Sequence, residues 1–131
     1  MNPKTIEVAA GVITRDNRIL ITQRLETSPH GGLWEFPGGK RHPDESLRDC
    51  LRREIKEELD ITVQVGEELK VLQHDYPDIT VKLHFYRCTI REGTPRPLGN
   101  QAFRWVSLSE LSEFDFPEAN RTFIRELQTH P

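Results

Sequence analysis

The sequence predicts a single α/β domain in which a mixed sheet is covered by helices on both faces. Three observations predict it. The chain has 131 residues, enough for one core. Much of it reads as short strand segments bounded by Gly, Pro, Asn and Asp. Two amphipathic helices are set far apart, one mid-chain and one near the end, so both faces of a sheet can be covered. No repeat, low-complexity tract or interdomain linker divides the run 1–131, which is expected to be one domain.

In chain order, 5–14 and 18–24 read as strands joined by turn chemistry at Arg15, Asp16 and Asn17. Residues 33–36 form a short strand ending in Pro37, Gly38 and Gly39. A helix is expected over 45–59. Ser46 followed by Asp49 approximates a capping box with Ser46 as N-cap. Strand-rich stretches follow at 62–74 and 79–92, separated by Pro77 and Asp78. In the second, Ile79, Val81, Leu83 and Phe85 alternate with Thr80, Lys82, His84 and Tyr86, the pattern of a half-buried strand. A short strand at 103–107, a helical turn at 107–111 and a closing helix over 116–128 complete the reading. Pro117 suits the first turn of that last helix.

Net charge is −3 and the pI is about 6.0. Such a balance gives no footprint for non-specific nucleic-acid binding, so stable nucleic-acid partners are not expected. A polyphosphate ligand would be repelled overall, and its site must supply a cation, Arg or Lys locally. The two cysteines, Cys50 and Cys88, fall on an apolar helix stripe and in a strand. They read as buried free thiols and not as a disulfide framework. With no signal-peptide pattern and no apolar run of membrane-spanning length, a cytoplasmic location is expected. The five histidines show no metal-ligand spacing, although His30 and His42 bracket the glycine-rich segment.

The mid-chain helix carries the chemistry. Leu47, Cys50, Leu51, Ile55 and Leu59 form its apolar stripe. At 100° per residue from Leu47, Glu54 and Glu58 fall inside the stripe, at about −20° and 20°, and Glu57 flanks it at about −80°. Like charges at these spacings cost a helix roughly 0.2–0.5 kcal/mol per pair, and burial raises the cost. The alternatives are a solvated mixed-charge surface, which describes Arg48, Arg52 and Lys56 well, and a site for a hard cation, which takes oxygen ligands.

The run from Gly39 to Ile61 resembles the Nudix box, G-x5-E-x7-R-E-U-x-E-E-x-G-U with U aliphatic. Gly39, Glu45, Arg53, Glu54, Glu57 and Glu58 match its fixed positions. Nudix proteins mostly hydrolyse a nucleoside diphosphate linked to another group, using Mg2+, and the resemblance implies their α/β/α sandwich. It also implies metal binding by Glu54, Glu57, Glu58 and the Gly39 carbonyl, with Mn2+ as an alternative ion. A Glu45–Arg53 ion pair would brace the loop against the helix.

Ile21-Thr22-Gln23-Arg24, Leu33-Trp34-Glu35-Phe36-Pro37-Gly38-Gly39-Lys40 and Asp115-Phe116-Pro117-Glu118-Ala119-Asn120 extend the resemblance to the MutT branch. That branch implies release of pyrophosphate and a nucleoside monophosphate from triphosphates, 8-oxo-dGTP among them. Similar segments occur in relatives acting on CTP and modified dCTP. An RNA 5′ end as substrate and a non-catalytic binding module are further alternatives. Arg24, Phe36, Gly38, Lys40 and Asn120 become expected nucleotide contacts. Asn120 projects about 40° from Phe116, within a stripe of Phe116, Ala119, Phe123 and Leu127. Its amide could read a base edge or tie the helix to nearby backbone.

Two positions depart from the pattern. Asp60 stands where the box has its last glycine, a helix-ending position that often needs a left-handed residue. Many relatives place an acid in the loop before the late Trp-bearing strand, yet 93–109 contains no Asp or Glu. A general base, if one is needed, must come from the box glutamates or another loop.

Overall fold

The computed structural model describes residues 4–29, 31–100 and 102–129. Its centre is β1 (Lys4–Arg15), which runs antiparallel to β2 (Arg18–Gln23). The two-residue turn between them places Asp16 and Asn17 at φ 51° and 62°. These are residues that tolerate the left-handed region a tight hairpin needs. The short strand expected at 33–36 is β3 (Trp34–Glu35), and a second strand, β4 (Gly38–Lys40), follows at the glycines expected to end it. Helix α1 (Leu47–Leu59) follows, then the hairpin of β5 (Thr62–Asp75) and β6 (Ile79–Glu92), then β7 (Ala102–Ser107). A 3₁₀ turn at Ser109–Glu113 leads to α2 (Glu118–Thr129).

The pairing pattern opens the sheet where the site will sit. β7 takes the whole of one edge of β2, so β1 and β3 share the other. β6 runs parallel to β1 from Lys4 to Ile13, and β2 and β4 divide the opposite edge of β1. β1 and β2 therefore part beyond Ile13, and the β3–β4 segment enters the gap. A Gly11 N–H donates to the Pro37 carbonyl at 2.8 Å there.

Side chains alternate between two apolar layers, as the pleat requires. Ala9, Ile13, Leu20, Tyr86 and Cys88 pack with Cys50, Leu51, Ile55 and Leu59 of α1. Ala10, Val12, Ile19, Ile21 and Phe85 pack with Phe123, Ile124 and Leu127 of α2. The α/β/α arrangement is therefore present, and both cysteines are buried and free.

Several sequence expectations need correction. β6 does not alternate as expected: Thr80, His84, Phe85 and Tyr86 are buried, while Ile79, Val81 and Leu83 are only half-buried, because β1 and β5 flank the strand and Val81 and Leu83 line an open cleft. His84 is satisfied by carboxylates, with Nδ1 2.9 Å from Glu68 Oε1 and Nε2 3.2 Å from Glu7 Oε1. α1 begins at Leu47 and not at 45. Ser46 is its N-cap and accepts from the Asp49 N–H at 3.1 Å, as the capping reading expected. α2 begins at Glu118, after Pro117, and Ala119 is exposed. Its buried face is Phe123, Ile124 and Leu127, while Phe116 is buried just ahead of it.

Candidate functional site

A cleft of about 640 Å³ lies at the gap in the sheet. Arg24, Phe36, Gly38, Lys40 and Asn120 all line it, together with Gly39 and Glu58. Glu45, Arg53, Glu54 and Glu57 lie behind and beside that wall, on α1 and the loop before it.

Two glycines bring the α1 carboxylates close to the cleft. A Cβ on Gly38 would meet the Ala9 carbonyl oxygen at 1.9 Å. Only a bare backbone can therefore pair there with β1, and its N–H donates to Glu58 Oε2 at 3.1 Å. A Cβ on Gly39 would meet the Glu54 carboxyl carbon at 2.4 Å, so Glu54 occupies the space that any other residue would fill. The Gly39 carbonyl, on a residue paired with Ala9 in the β1–β4 ladder, also accepts a long contact from the Cys50 thiol, at 3.5 Å.

Arg53 organises the box. Its guanidinium donates to both oxygens of Glu45, at 2.7 and 3.1 Å. It also donates to Glu54 at 2.9 Å, to Glu57 at 3.4 Å and to the Lys40 carbonyl at 3.2 Å. The paired fork suits a carboxylate. These bonds, and the His42 N–H at 2.9 Å, hold Glu45 down to about 2. The same partners push Arg53 upward. Glu57 remains exposed.

Glu58 has the opposite environment. Burial pushes its carboxyl up to about 8, and the nearby Glu35 and Glu54 charges add to the effect. Asn100 donates an amide N–H to Glu58 Oε1 at 3.4 Å. Glu35 is likewise raised by burial, against the lowering effect of Arg24. Arg24 donates to Glu35 at 3.0 Å and to the Pro29 carbonyl at 2.8 Å. It lies just past β2, within reach of the cleft, with part of its guanidinium already engaged.

The remaining expected contacts differ in kind. Phe36 is only 4% exposed and packs against Phe85, Phe116 and Phe123, with ring centroids 5.4–5.9 Å apart. It therefore supports the cleft floor and offers little surface of its own. Lys40 is exposed at the end of β4. Asn120 is half-buried, and its side chain has no hydrogen bond among the described residues; its backbone N–H donates to the Pro117 carbonyl at 2.9 Å. His42 is exposed, and His30 lies outside the described residues.

Sequence reasoning gave no role to Glu35 or Asn100. Glu35 was legible only as part of a motif, and nothing local marks it as half-buried beside Arg24. Asn100 sits in the acid-free loop. Its proximity to Glu58 spans 42 positions.

The ligand atoms expected from the sequence would suit a hard divalent cation. They are all oxygen: carboxylates from Glu54, Glu57 and Glu58 and the Gly39 carbonyl. The raised Glu58 carboxyl shows like charge crowded into a dry wall, a cost that a cation would offset. As they stand, no three Asp, Glu, His or Cys side chains among the described residues form a group ready to hold a metal. Arg53 holds Glu54 and Glu57 instead. Asp60 ends α1 at φ 57° and ψ 38°, the left-handed geometry of the glycine it replaces. Its carboxylate pairs with Lys56 at 3.0 Å and Arg96 at 2.8 Å, so the substitution alters how the helix is capped.

Comparison with known proteins places these features in context. The NUDIX domain family model matches residues 8–126. The CTP pyrophosphohydrolase of Escherichia coli (strain K12) is 40% identical over 117 residues, 89% of this chain and 87% of that protein. The 8-oxo-dGTP diphosphatase of the same strain is 34% identical over 126 residues, 95% of this chain and 98% of that protein. The solution structure of the E. coli ORF135 protein aligns with a TM-score of 0.84 at 36% identity, covering 97% of this chain and 91% of that one. The crystal structure of a MutT protein from Methanosarcina mazei Go1 aligns at 0.82 and 25% identity, covering 96% and 94%.

Proposed function

The chain belongs to the NUDIX domain family, and from that premise we infer that it is a Mg2+-dependent nucleoside triphosphate pyrophosphohydrolase. The observation that carries the reading is the packing of Glu54 and Glu58 against Gly39 and Gly38 at the wall of a nucleotide-sized cleft. Relatives named for CTP and 8-oxo-dGTP hydrolysis support it.

Glu54, Glu57, Glu58 and the Gly39 carbonyl would hold the Mg2+. When bound, the ion neutralises phosphoryl oxygens and the leaving pyrophosphate and acidifies water. Arg24 and Lys40 supply positive charge for the phosphates. Arg53 fixes Glu54 and, through Glu45, the loop ahead of α1. Hydrolysis yields a nucleoside monophosphate and pyrophosphate. Glu54→Gln and Glu58→Gln should each lower kcat by at least ~10²-fold, about 2.7 kcal/mol of barrier, with the fold intact. Near wild-type turnover in both variants removes the site. Orthophosphate and a nucleoside diphosphate as products would reject the reaction.

For the base, 8-oxo-dGTP is the first reading and rests on Asn120 at the cleft with an uncommitted amide edge. CTP or a modified dCTP is the second, favoured by the 40% identity to a CTP pyrophosphohydrolase. kcat/KM measured side by side for 8-oxo-dGTP, dGTP, CTP and dCTP with Mg2+ decides between them.

A further inference from the structure

The loop between β4 and α1 joins the glycine wall of the cleft to the helix that carries the box carboxylates. It forms neither helix nor strand from Arg41 to Ser46. Two arginines grip it from different sides. Arg53 takes the Glu45 carboxylate and the Lys40 carbonyl. Arg41 spans the loop: its guanidinium donates to the His42 carbonyl at 3.2 Å, to the Glu45 carbonyl at 3.1 Å and to Glu7 Oε2 at 3.2 Å. Its backbone N–H also donates to the Glu7 carbonyl at 2.9 Å.

Glu7 is itself held in place. Its other carboxylate oxygen lies 3.2 Å from Nε2 of the buried His84, whose Nδ1 lies 2.9 Å from Glu68. Polar contacts therefore run from β5 through β6 and β1 to Arg41 and the Glu45 backbone. From the Glu45 side chain, Arg53 continues the chain to Glu54 at 2.9 Å and Glu57 at 3.4 Å. Glu7, Arg41, Glu68 and His84 occupy no fixed position of the box. The Arg41–Glu7 pair is partly exposed, and such pairs contribute little to stability. What it fixes is position, and a displacement of about 1 Å remote from the chemistry can cost up to ~10²-fold in rate.

We propose that Glu7 and Arg41 are positioning residues of the hydrolytic site, holding the β4–α1 loop so that Glu45 keeps Arg53, and Arg53 keeps Glu54, in register with the Gly39 wall. The proposal rests on the reading of the box carboxylates as the reacting site.

The test compares Glu7→Leu, Glu7→Gln, Arg41→Leu and the Glu7→Leu/Arg41→Leu double variant with wild type. Without metal or nucleotide, NMR follows solvent exchange of the His42 amide, which donates to Glu45 at 2.9 Å. That amide should exchange roughly five-fold faster or more in Glu7→Leu and Arg41→Leu, with the amides of α1 and the β1–β6 ladder unchanged. With Mg2+ and the nucleoside triphosphate that wild type turns over fastest, kcat should fall roughly ten-fold in both, while KM stays within about two-fold. Glu7→Gln, whose amide oxygen still accepts from Arg41, should keep at least about half of the wild-type kcat. The double variant should fall no further than the worse single one, since both break one contact. Melting temperatures should stay within a few degrees of wild type. Unchanged kcat in the two leucine variants overturns the proposal, as do additive losses in the double variant. Lower kcat with an unchanged His42 amide overturns it too, as does Glu7→Gln no better than Glu7→Leu. A collapse in melting temperature would make the pair structural and also overturn it. Wild type that hydrolyses no nucleotide rejects the hydrolase reading and this inference with it, an outcome separate from the others because they compare variants with an active parent.

Discussion

Gly38 and Gly39 are neighbours, yet a methyl group would act differently at each. At Gly38 it meets backbone of β1, and neither strand can yield without losing the β1–β4 pairing. At Gly39 it meets the far end of the Glu54 side chain, which can swing away. Gly38→Ala should therefore destabilise the fold by about 2 kcal/mol or more, read by chemical denaturation. Gly39→Ala should keep its melting temperature within a few degrees while kcat falls by roughly ten-fold or more. Equal stability losses in the two variants would contradict this assignment. Asn120 supports a second residue-scale expectation. Asn120→Ala should reduce kcat/KM for 8-oxo-dGTP by roughly ten-fold relative to dGTP. A uniform loss across nucleotides would instead make it a helix anchor. These residues were legible because chemistry at fixed spacing marks them. Glu35 and Asn100 were not, because what distinguishes them is burial beside groups distant in the chain, and a local pattern does not encode that.

The element that most depends on charge is the loop from Lys40 to Ser46, braced by Glu45 on Arg53 and by Arg41 on Glu7. The bonds from Arg53 and from the His42 N–H hold Glu45 down to about 2, below its unfolded value of roughly 4.3. A lowered carboxylate contributes stability that is fully present above the unfolded pKa and is lost as pH falls through the folded one. Wild type should therefore lose melting temperature between about pH 4 and pH 2, and Glu45→Gln should show a shallower decline over that window. Parallel profiles would mean that the pair contributes nothing. The element boundaries show what a sequence pattern can carry. Capping at Ser46 was readable because it is local. β4 was not, because Gly-Gly-Lys has no strand preference and becomes a strand only by lying along β1. β6 was misjudged for a related reason: alternation marks one apolar face, while burial of the other face depends on which strands and helices arrive beside it.

At the scale of the whole molecule, the two apolar layers meet across β1 and β6, and one cysteine stands in each partner of the α1 layer. Cys50 belongs to the helix and Cys88 to β6. Burial pushes the Cys88 thiol up to about 12. Burial, with the Glu45 charge adding to it, pushes the Cys50 thiol up to about 11. The thiolate is the nucleophile, so both lose reactivity twice, through access and through ionisation. The position of Cys50 directly under Gly39 also ties this layer to the site, because helix and cleft wall cannot separate without exposing it. Native protein at pH 8 should therefore leave both thiols unmodified by a disulfide reagent over the time in which a model thiol reacts completely. Added denaturant should release them together, at the midpoint seen by circular dichroism, since α1 and the sheet share one core. Early release of Cys50 alone would show that α1 opens as a separate unit, and the glutamates it carries would then be positioned by a helix that leaves the sheet before the fold is lost.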